Sequence, residues 1–268
     1  MIRDITIGQY YPAESVIHRL DPRVKLVGTL TFIISLFLHR SFLMYLVAAV
    51  FLTIVIKASK VPFRFMIKGL KAIMVLLLIT VVFTMFLTPG TPLIRIWKLT
   101  LTVEGVKQAA FMAIRLAFLI VGSSVMTLTT TPNHLTDGME KGLAPLNKLH
   151  VPVHEVSMIM SIALRFIPIL LEETDKIMKA QEARGADFDS GNLIQKAKSL
   201  VPLLVPLFIS AFRRANDLAM AMEARGYRGG EGRTKMKPLI YQKRDRMAYG
   251  VLLGYLAVMI LVGQFAPF

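Results

Sequence analysis

Charge-free apolar runs alternate with short cationic clusters along most of this chain. Leu26–Leu38 holds 13 uncharged residues, Ser41–Ile56 holds 16, Ala72–Ile94 holds 23 and Met247–Phe268 holds 22. A further apolar stretch, Gly105–Leu128, fourth in chain order, contains Arg115. A helix crosses a bilayer with about 20 apolar residues, and about 17 is the short limit. The pattern therefore predicts five spans. The first two reach only if Arg23, Lys25, Arg40 and Lys57 extend their charges to the interface; a re-entrant pair is the alternative. Thr88–Pro92 breaks the third span, and Trp97 suits the outer interface. Residues 57–71 carry Lys57, Lys60, Arg64, Lys68 and Lys71 without an acid. They read as a cytoplasmic loop. With a second cluster at 237–246, this places the N-terminus inside and the C-terminus outside.

Between the fourth and last spans the pattern changes. Residues 134–147 space Leu135, Met139 and Leu143 by four, as in a short amphipathic helix, with Thr131 or Asn133 as N-cap and Pro132 close to the first position. Two long helical runs follow, each apolar first and charged later: Val156–Leu171 then Glu172–Lys176, and Leu200–Phe212 then Arg213–Asp217. Neither reads as a span. Arg165 cuts the first after nine apolar residues, and Ser199–Phe212 is charge-free for only 14. Helices over 152–185 and 192–226 would each reach about 50 Å, with Pro168, Pro202 and Pro206 as kink sites. Ser157, Ser161 and Ala163, with Ser210, Ala211 and Ala215, would let the two rods cross closely. The expected organisation is an N-terminal cytoplasmic segment (1–25), four transmembrane helices (26–130), a cytoplasmic domain (131–236) and a last span (237–268). The fold class is all-α integral membrane protein.

Composition supports the membrane. Of 268 residues, 54% are hydrophobic, and mean hydropathy is +0.58, too apolar for a soluble domain of this size. The formal charge of +15 follows positive-inside loops and anionic headgroups. Nucleic-acid binding needs interleaved aromatics or a reader motif, and neither stands here. There is no cysteine, which excludes disulfides, thiolate metal sites and thiol nucleophiles. The first 25 residues lack the apolar core of a cleavable signal. There is no phosphate-binding G-x-x-x-x-G-K-[ST] loop; Gly226–Arg233 has the wrong spacing and reads as a flexible linker. His150 and His154 are separated by Pro152 and lack the H-E-x-x-H order, so no metal is expected. Glu172, Glu173 and Asp175 read as a solvated or interhelix face. Arg115 needs a partner or a wet cavity, and serves either structure or function.

The rods end alike. Glu182-Ala183-Arg184-Gly185 and Glu223-Ala224-Arg225-Gly226 repeat one tetrapeptide 41 positions apart. Arginine followed by glycine is an ordinary helix stop: glycine turns left-handed and the cation complements the dipole. That reading covers Arg-Gly but not the shared Glu-Ala before it. An arginine fork also makes bidentate bonds to carboxylates, and two such tips fit two similar acidic grooves.

Four stretches carry a family resemblance: Ser15–Leu26 (SVIHRLDPRVKL), Arg165–Pro168, Ala180–Ala186 and Ala221–Tyr227. With them the chain, from about Tyr10 on, resembles the T component (EcfT, CbiQ-like) of energy-coupling factor (ECF) transporters, the group that includes the transmembrane component of cobalt importers. The resemblance implies a non-catalytic scaffold in a bacterial plasma membrane, without cofactor. Its partners would be two ABC-type ATPase subunits, EcfA- and EcfA'-like, and an integral-membrane substrate-binding S component for a vitamin or metal ion. ATP hydrolysis would reside in the ATPases and move the rods to reorient the S component. Arg184 and Arg225, with Ala183, Gly185, Ala224 and Gly226, would dock the ATPases. Met158, Ile162, Leu204 and Phe208 would pack the S component. The competing classes are a self-contained channel or secondary carrier, and an intramembrane enzyme using Arg115.

Overall fold

The structure, a computed structural model, describes residues 10–38, 41–96, 99–186, 188, 192–229, 236 and 238–265. The expectations for His39-Arg40, for Trp97, for most of the linker after Gly229 and for 266–268 lie outside the described residues. The elements are α1 (Pro22–Leu38), α2 (Phe42–Ser59), α3 (Phe63–Leu87), β1 (Pro92–Ile96), β2 (Leu99–Thr102) and α4 (Val103–Thr129). They continue with α5 (Pro132–Leu143), a 3-10 turn (Ala144–Leu149), α6 (Val153–Ala183), α7 (Leu193–Ser199), α8 (Val201–Ala224) and α9 (Lys243–Phe265). Helices dominate because hydrocarbon offers backbone groups no partner but one another.

Among the described residues, five helices are long and apolar enough to cross a membrane: α2, α4, α6, the stretch Ile194–Ala224, and Lys243–Gln264 of α9. This is a multi-pass membrane protein. The number matches the expectation but the membership differs. α1 has 17 residues, and the apolar part of α3 is the shorter Ile73–Leu87. The apolar first halves of α6 and α8 suffice for the length and composition test.

Several boundaries move for local reasons. The cationic stretch 57–71 is mostly helix: Lys57 sits in the last turn of α2, Lys60 turns left-handed at φ 56°, and α3 begins at Phe63 after Pro62. α3 stops at Leu87, ahead of Pro89. A hairpin then fills the connection, with β1 and β2 antiparallel and Arg95 opposite Thr100. Thr102 caps α4 by accepting from the Gly105 N–H at 3.0 Å, while its own hydroxyl donates to the Thr88 carbonyl at 2.8 Å. The Glu104 carboxylate accepts from the Thr91 N–H at 2.7 Å. Thr131 caps α5, with its hydroxyl accepting from the His134 N–H at 3.4 Å. Pro202 does not kink a continuous rod. It stands in the first turn of α8, where its missing N–H costs nothing, so the second rod begins as two helices, α7 and α8.

The chain divides into two compact units, one of residues 8–138 with 239–268, the other built on 139–238. In the first, the bundle unit, α4 packs along α3 and also meets α1 and α2, and α9 meets α1 and α2. Its core joins Phe32 and Leu36, Tyr45 and Ala48, Val121 and Val125, Tyr255 and Met259. Phe51 and Tyr255 stack at 4.2 Å. Gly122 is required there: a Cβ would stand 2.6 Å from the Phe32 ring. Outside that core the helix surfaces stay apolar, with Leu30, Ile34, Leu46, Val75, Phe83 and Leu261 exposed. Such a surface suits lipid, not water.

Arg115 has its partner inside this unit. Its Nε donates to the Tyr45 hydroxyl at 3.0 Å, and its guanidinium lies 5.1 Å from the Phe37 ring centroid. Both contacts are structural, and they favour the structural reading of this residue.

The segment before α1, with the first turn of α1, ties three helix ends together. Its key atoms come from the SVIHRLDPRVKL stretch. Arg23 grips Asp21 through Nε at 3.0 Å and a terminal nitrogen at 2.8 Å. Asp245, 1% exposed, accepts from the Asp21 N–H at 2.9 Å and from the Gln242 N–H at 2.8 Å. Arg23 also stacks 3.7 Å from the Tyr241 ring centroid. Lys25 donates to the Thr129 carbonyl at 2.7 Å, a cation at the negative end of α4. His18 bonds the Tyr11 carbonyl at 3.0 Å and the Ser15 hydroxyl at 2.7 Å. Since a carbonyl only accepts, Nε2 carries the proton and Nδ1 accepts.

Candidate functional site

The second unit holds the two rods. α6 and α8 pack against each other, and Arg214 of α8 donates to Glu173 of α6 at 3.2 Å. These two residues are 41 apart in sequence, the same offset as the repeated tetrapeptide. Each therefore stands 11 residues before its own terminal arginine. The rods touch at equivalent points, and each arm from that point to its tip is about 16 Å at helical rise.

The tips have one geometry. At the end of α6, Arg184 sits at φ −87° and ψ 4°, and Gly185 turns left-handed at φ 87°. The Gly185 N–H donates to the Glu182 carbonyl at 2.9 Å, and the Ala186 N–H to the Gln181 carbonyl at 3.0 Å. At the end of α8, Arg225 sits at φ −88° and ψ 7°, and Gly226 at φ 71°. The Gly226 N–H donates to Glu223 at 2.8 Å, and the Tyr227 N–H to Met222 at 3.0 Å. Both are Schellman caps, bond for bond. Nothing lies within 4 Å of a Cβ built on either glycine. Backbone conformation, not space, demands glycine here. Ala183, Arg184 and Gly185 are exposed, as are Ala224, Arg225 and Gly226. Neither arginine makes an ion pair among the described residues.

The four residues expected to form a packing surface separate into two classes. Leu204 and Phe208 are exposed on α8, in line with Val201, Val205 and Phe212. Met158 and Ile162 are half-buried on α6, whose open apolar face is Val156, Ile159 and Met160. Spacing by three and four shows the stripe but not which side of it faces the partner rod. Ser157 turns out to face α5: its hydroxyl donates to Glu140 at 2.7 Å. His154 bonds the other Glu140 oxygen at 3.0 Å, while His150 closes the 3-10 turn at φ 59°. Among the described residues there is no cluster of three or more metal-ligating side chains.

The model of the family described as Cobalt transport protein, CbiQ, matches residues 13–236. The chain belongs to the CbiQ family. It is 59% identical over 264 residues to the energy-coupling factor transporter transmembrane protein EcfT of Clostridium kluyveri, covering 97% of each chain. It is 53% identical to the EcfT of Thermosediminibacter oceani, covering 98% of this chain and 99% of that one. The EcfT of Bacillus subtilis is 48% identical over 246 residues, 91% of this chain and 93% of its own. The match to CbiQ spans both capped rods and the clasp at Asp21. As a member of this family the chain is a membrane subunit of a transporter.

Proposed function

We propose that this chain is the scaffold and force-transmitting subunit of an ECF-type importer. Arg184 and Arg225 each dock in an ATP-binding-cassette ATPase subunit, and a substrate-binding S component rests on the apolar flanks of α6 and α8. The observation that carries this reading is the pair of identical caps, each presenting an exposed guanidinium, without an ion pair among the described residues, at the end of a long lever. A helix stop alone needs glycine but not the same exposed Glu-Ala-Arg before it. Two equivalent tips call for two equivalent sockets, and an arginine fork suits a socket lined by carboxylates.

Equal arms on either side of the Glu173–Arg214 contact support a scissor movement. When ATP draws the two ATPases together, the tips approach and the apolar halves shift beneath the S component. The rods lie along the cytoplasmic face, although α6 and α8 are apolar enough to cross. Their charged second halves and the interior Pro168 and Pro206 fit a surface position better than a hydrocarbon one. The N-terminus and rods are then cytoplasmic, the C-terminus is outside, and ATP hydrolysis belongs to the partners. The cargo is a vitamin or metal ion selected by the S component.

The test is Arg184→Glu with Arg225→Glu in a strain expressing the whole transporter. The ATPases should no longer co-purify, and substrate uptake should cease, while the chain still inserts. Retained ATPases with continued uptake would refute the docking role. Uptake by this chain alone in liposomes would instead favour a secondary carrier.

A further inference from the structure

The bundle unit contains a cavity of about 430 Å³, within the size range of small-ligand sites, roughly 300 to 1,000 Å³. Its walls come from one end of four helices: the start of α1, the end of α2, the end of α4 and the start of α9, with Val16, Ile17 and Leu20 beside them. Along α1 the lining runs from Val24 to Phe32, and along α9 from Arg244 to Leu252. At helical rise this is a depth of about 12 Å, close to one leaflet of a hydrocarbon core about 30 Å thick. Ile54, Met247 and Val251 on its rim are exposed, so the cavity opens sideways toward lipid.

The walls are apolar, and the charged groups among them are Lys25 and Arg244, with no carboxylate. Lys25 already donates to Thr129 and His18. Arg244 is different: its Nε is buried and has no hydrogen-bond partner among the described residues. The neighbouring Asp245 accepts from the Asp21 and Gln242 N–H groups. Nε itself is covered, so the terminal nitrogens of the guanidinium are the donors that an acceptor from outside the chain would meet. We propose that the cavity binds one acyl chain of an anionic phospholipid, with the phosphate seated on Arg244. The dry walls suit a group with no hydrogen-bonding atoms. Two cations without an acid favour an anionic headgroup over a zwitterionic one, whose ammonium they would repel. The occupant would wedge α1, α2 and α9 beneath the N-terminal segment.

The test uses the full chain in mild detergent, mixed with phosphatidylglycerol or phosphatidylcholine of the same acyl chains, read by native mass spectrometry. Phosphatidylglycerol should be retained roughly tenfold more, because both lipids offer the phosphate but only phosphatidylcholine brings an ammonium against the two cations. Arg244→Gln should erase that preference. Ala58→Trp, which fills the cavity, should abolish retention of both lipids; Val55→Phe is the milder version if the tryptophan chain does not fold. Equal retention of the two lipids would overturn the proposal. So would an unchanged preference in Arg244→Gln, lipid retained by the folded cavity-filling variant, or displacement by inorganic phosphate alone.

Discussion

At Gly226 the backbone sits at φ 71° with open space around it, so side-chain size and backbone strain can be separated there. Gly226→Ala places a Cβ in the left-handed region and costs roughly 1–2 kcal/mol. Gly226→Asn costs less, because asparagine tolerates that region. The expectation is faster amide exchange at Tyr227, the donor of the cap, in the alanine variant than in the asparagine one. The clasp makes a pH prediction of known sign. Burial lowers the His18 pKa from its ordinary 6.5, only partly opposed by the Tyr11 carbonyl. Its stabilising effect is therefore present above pH 6.5 and fades as the pH falls through the folded value. For Asp21, burial pushes the carboxyl up, but the Arg23 side chain and N–H outweigh it and hold it below 3.8. Its contribution persists above that pH and is lost below it, as the folded carboxylate takes up its proton. Thermal unfolding in detergent should thus weaken in two steps, one below 6.5 and one below 3.8. His18→Gln should remove the first alone. These partners were hidden in the sequence. Arg23 and Lys25 read only as a snorkelling pair, because Asp245 lies 224 residues from Asp21 and no local pattern announces such a bond.

Among elements, the pair Glu173 and Arg214 joins the rods at matching positions. It is half-exposed, with side chains 26% and 38% accessible, so its direct contribution to stability is about 0.2–1 kcal/mol. Its effect on movement should be larger than its effect on folding. Glu173→Arg or Arg214→Glu alone should slow uptake while the ATPases still bind. The swapped pair should recover uptake, measured in the complete transporter; no recovery would show that the contact is incidental to the pivot. The rods themselves were legible: the apolar-to-charged gradient and the repeated tetrapeptide marked both ends within a few residues. The break before α8 was not, because a proline in a helical pattern marks a kink and a first turn equally well. Nor was the hairpin, whose strands of 5 and 4 residues are too short to show alternation. α3 illustrates a third limit. Its first turns are cationic and its last are apolar, so hydropathy shifted the whole helix toward its apolar end.

For the molecule as a whole, length and hydropathy identify a membrane protein but do not say which helices cross. α6 passes the same test as α4, although the proposed function lays α6 along the cytoplasmic surface. The difference must come from charge. Arg165 interrupts α6, and the stretch after Leu171 brings Glu172, Glu173, Asp175, Lys176 and Lys179, each expensive in hydrocarbon. The chain has no cysteine, so single cysteines can be placed without a background. Lys179→Cys and Arg228→Cys, both at exposed positions, should resist a membrane-impermeant maleimide in intact cells and react in inverted vesicles. Pro89→Cys, between α3 and the hairpin, should do the reverse. If α6 crossed instead, residues 152 and 179 would lie on opposite sides, and Pro152→Cys would label from the side opposite to Lys179→Cys. Labelling of both from the cytoplasm keeps the two arginine tips on the side where ATP is available, which force transmission through them requires.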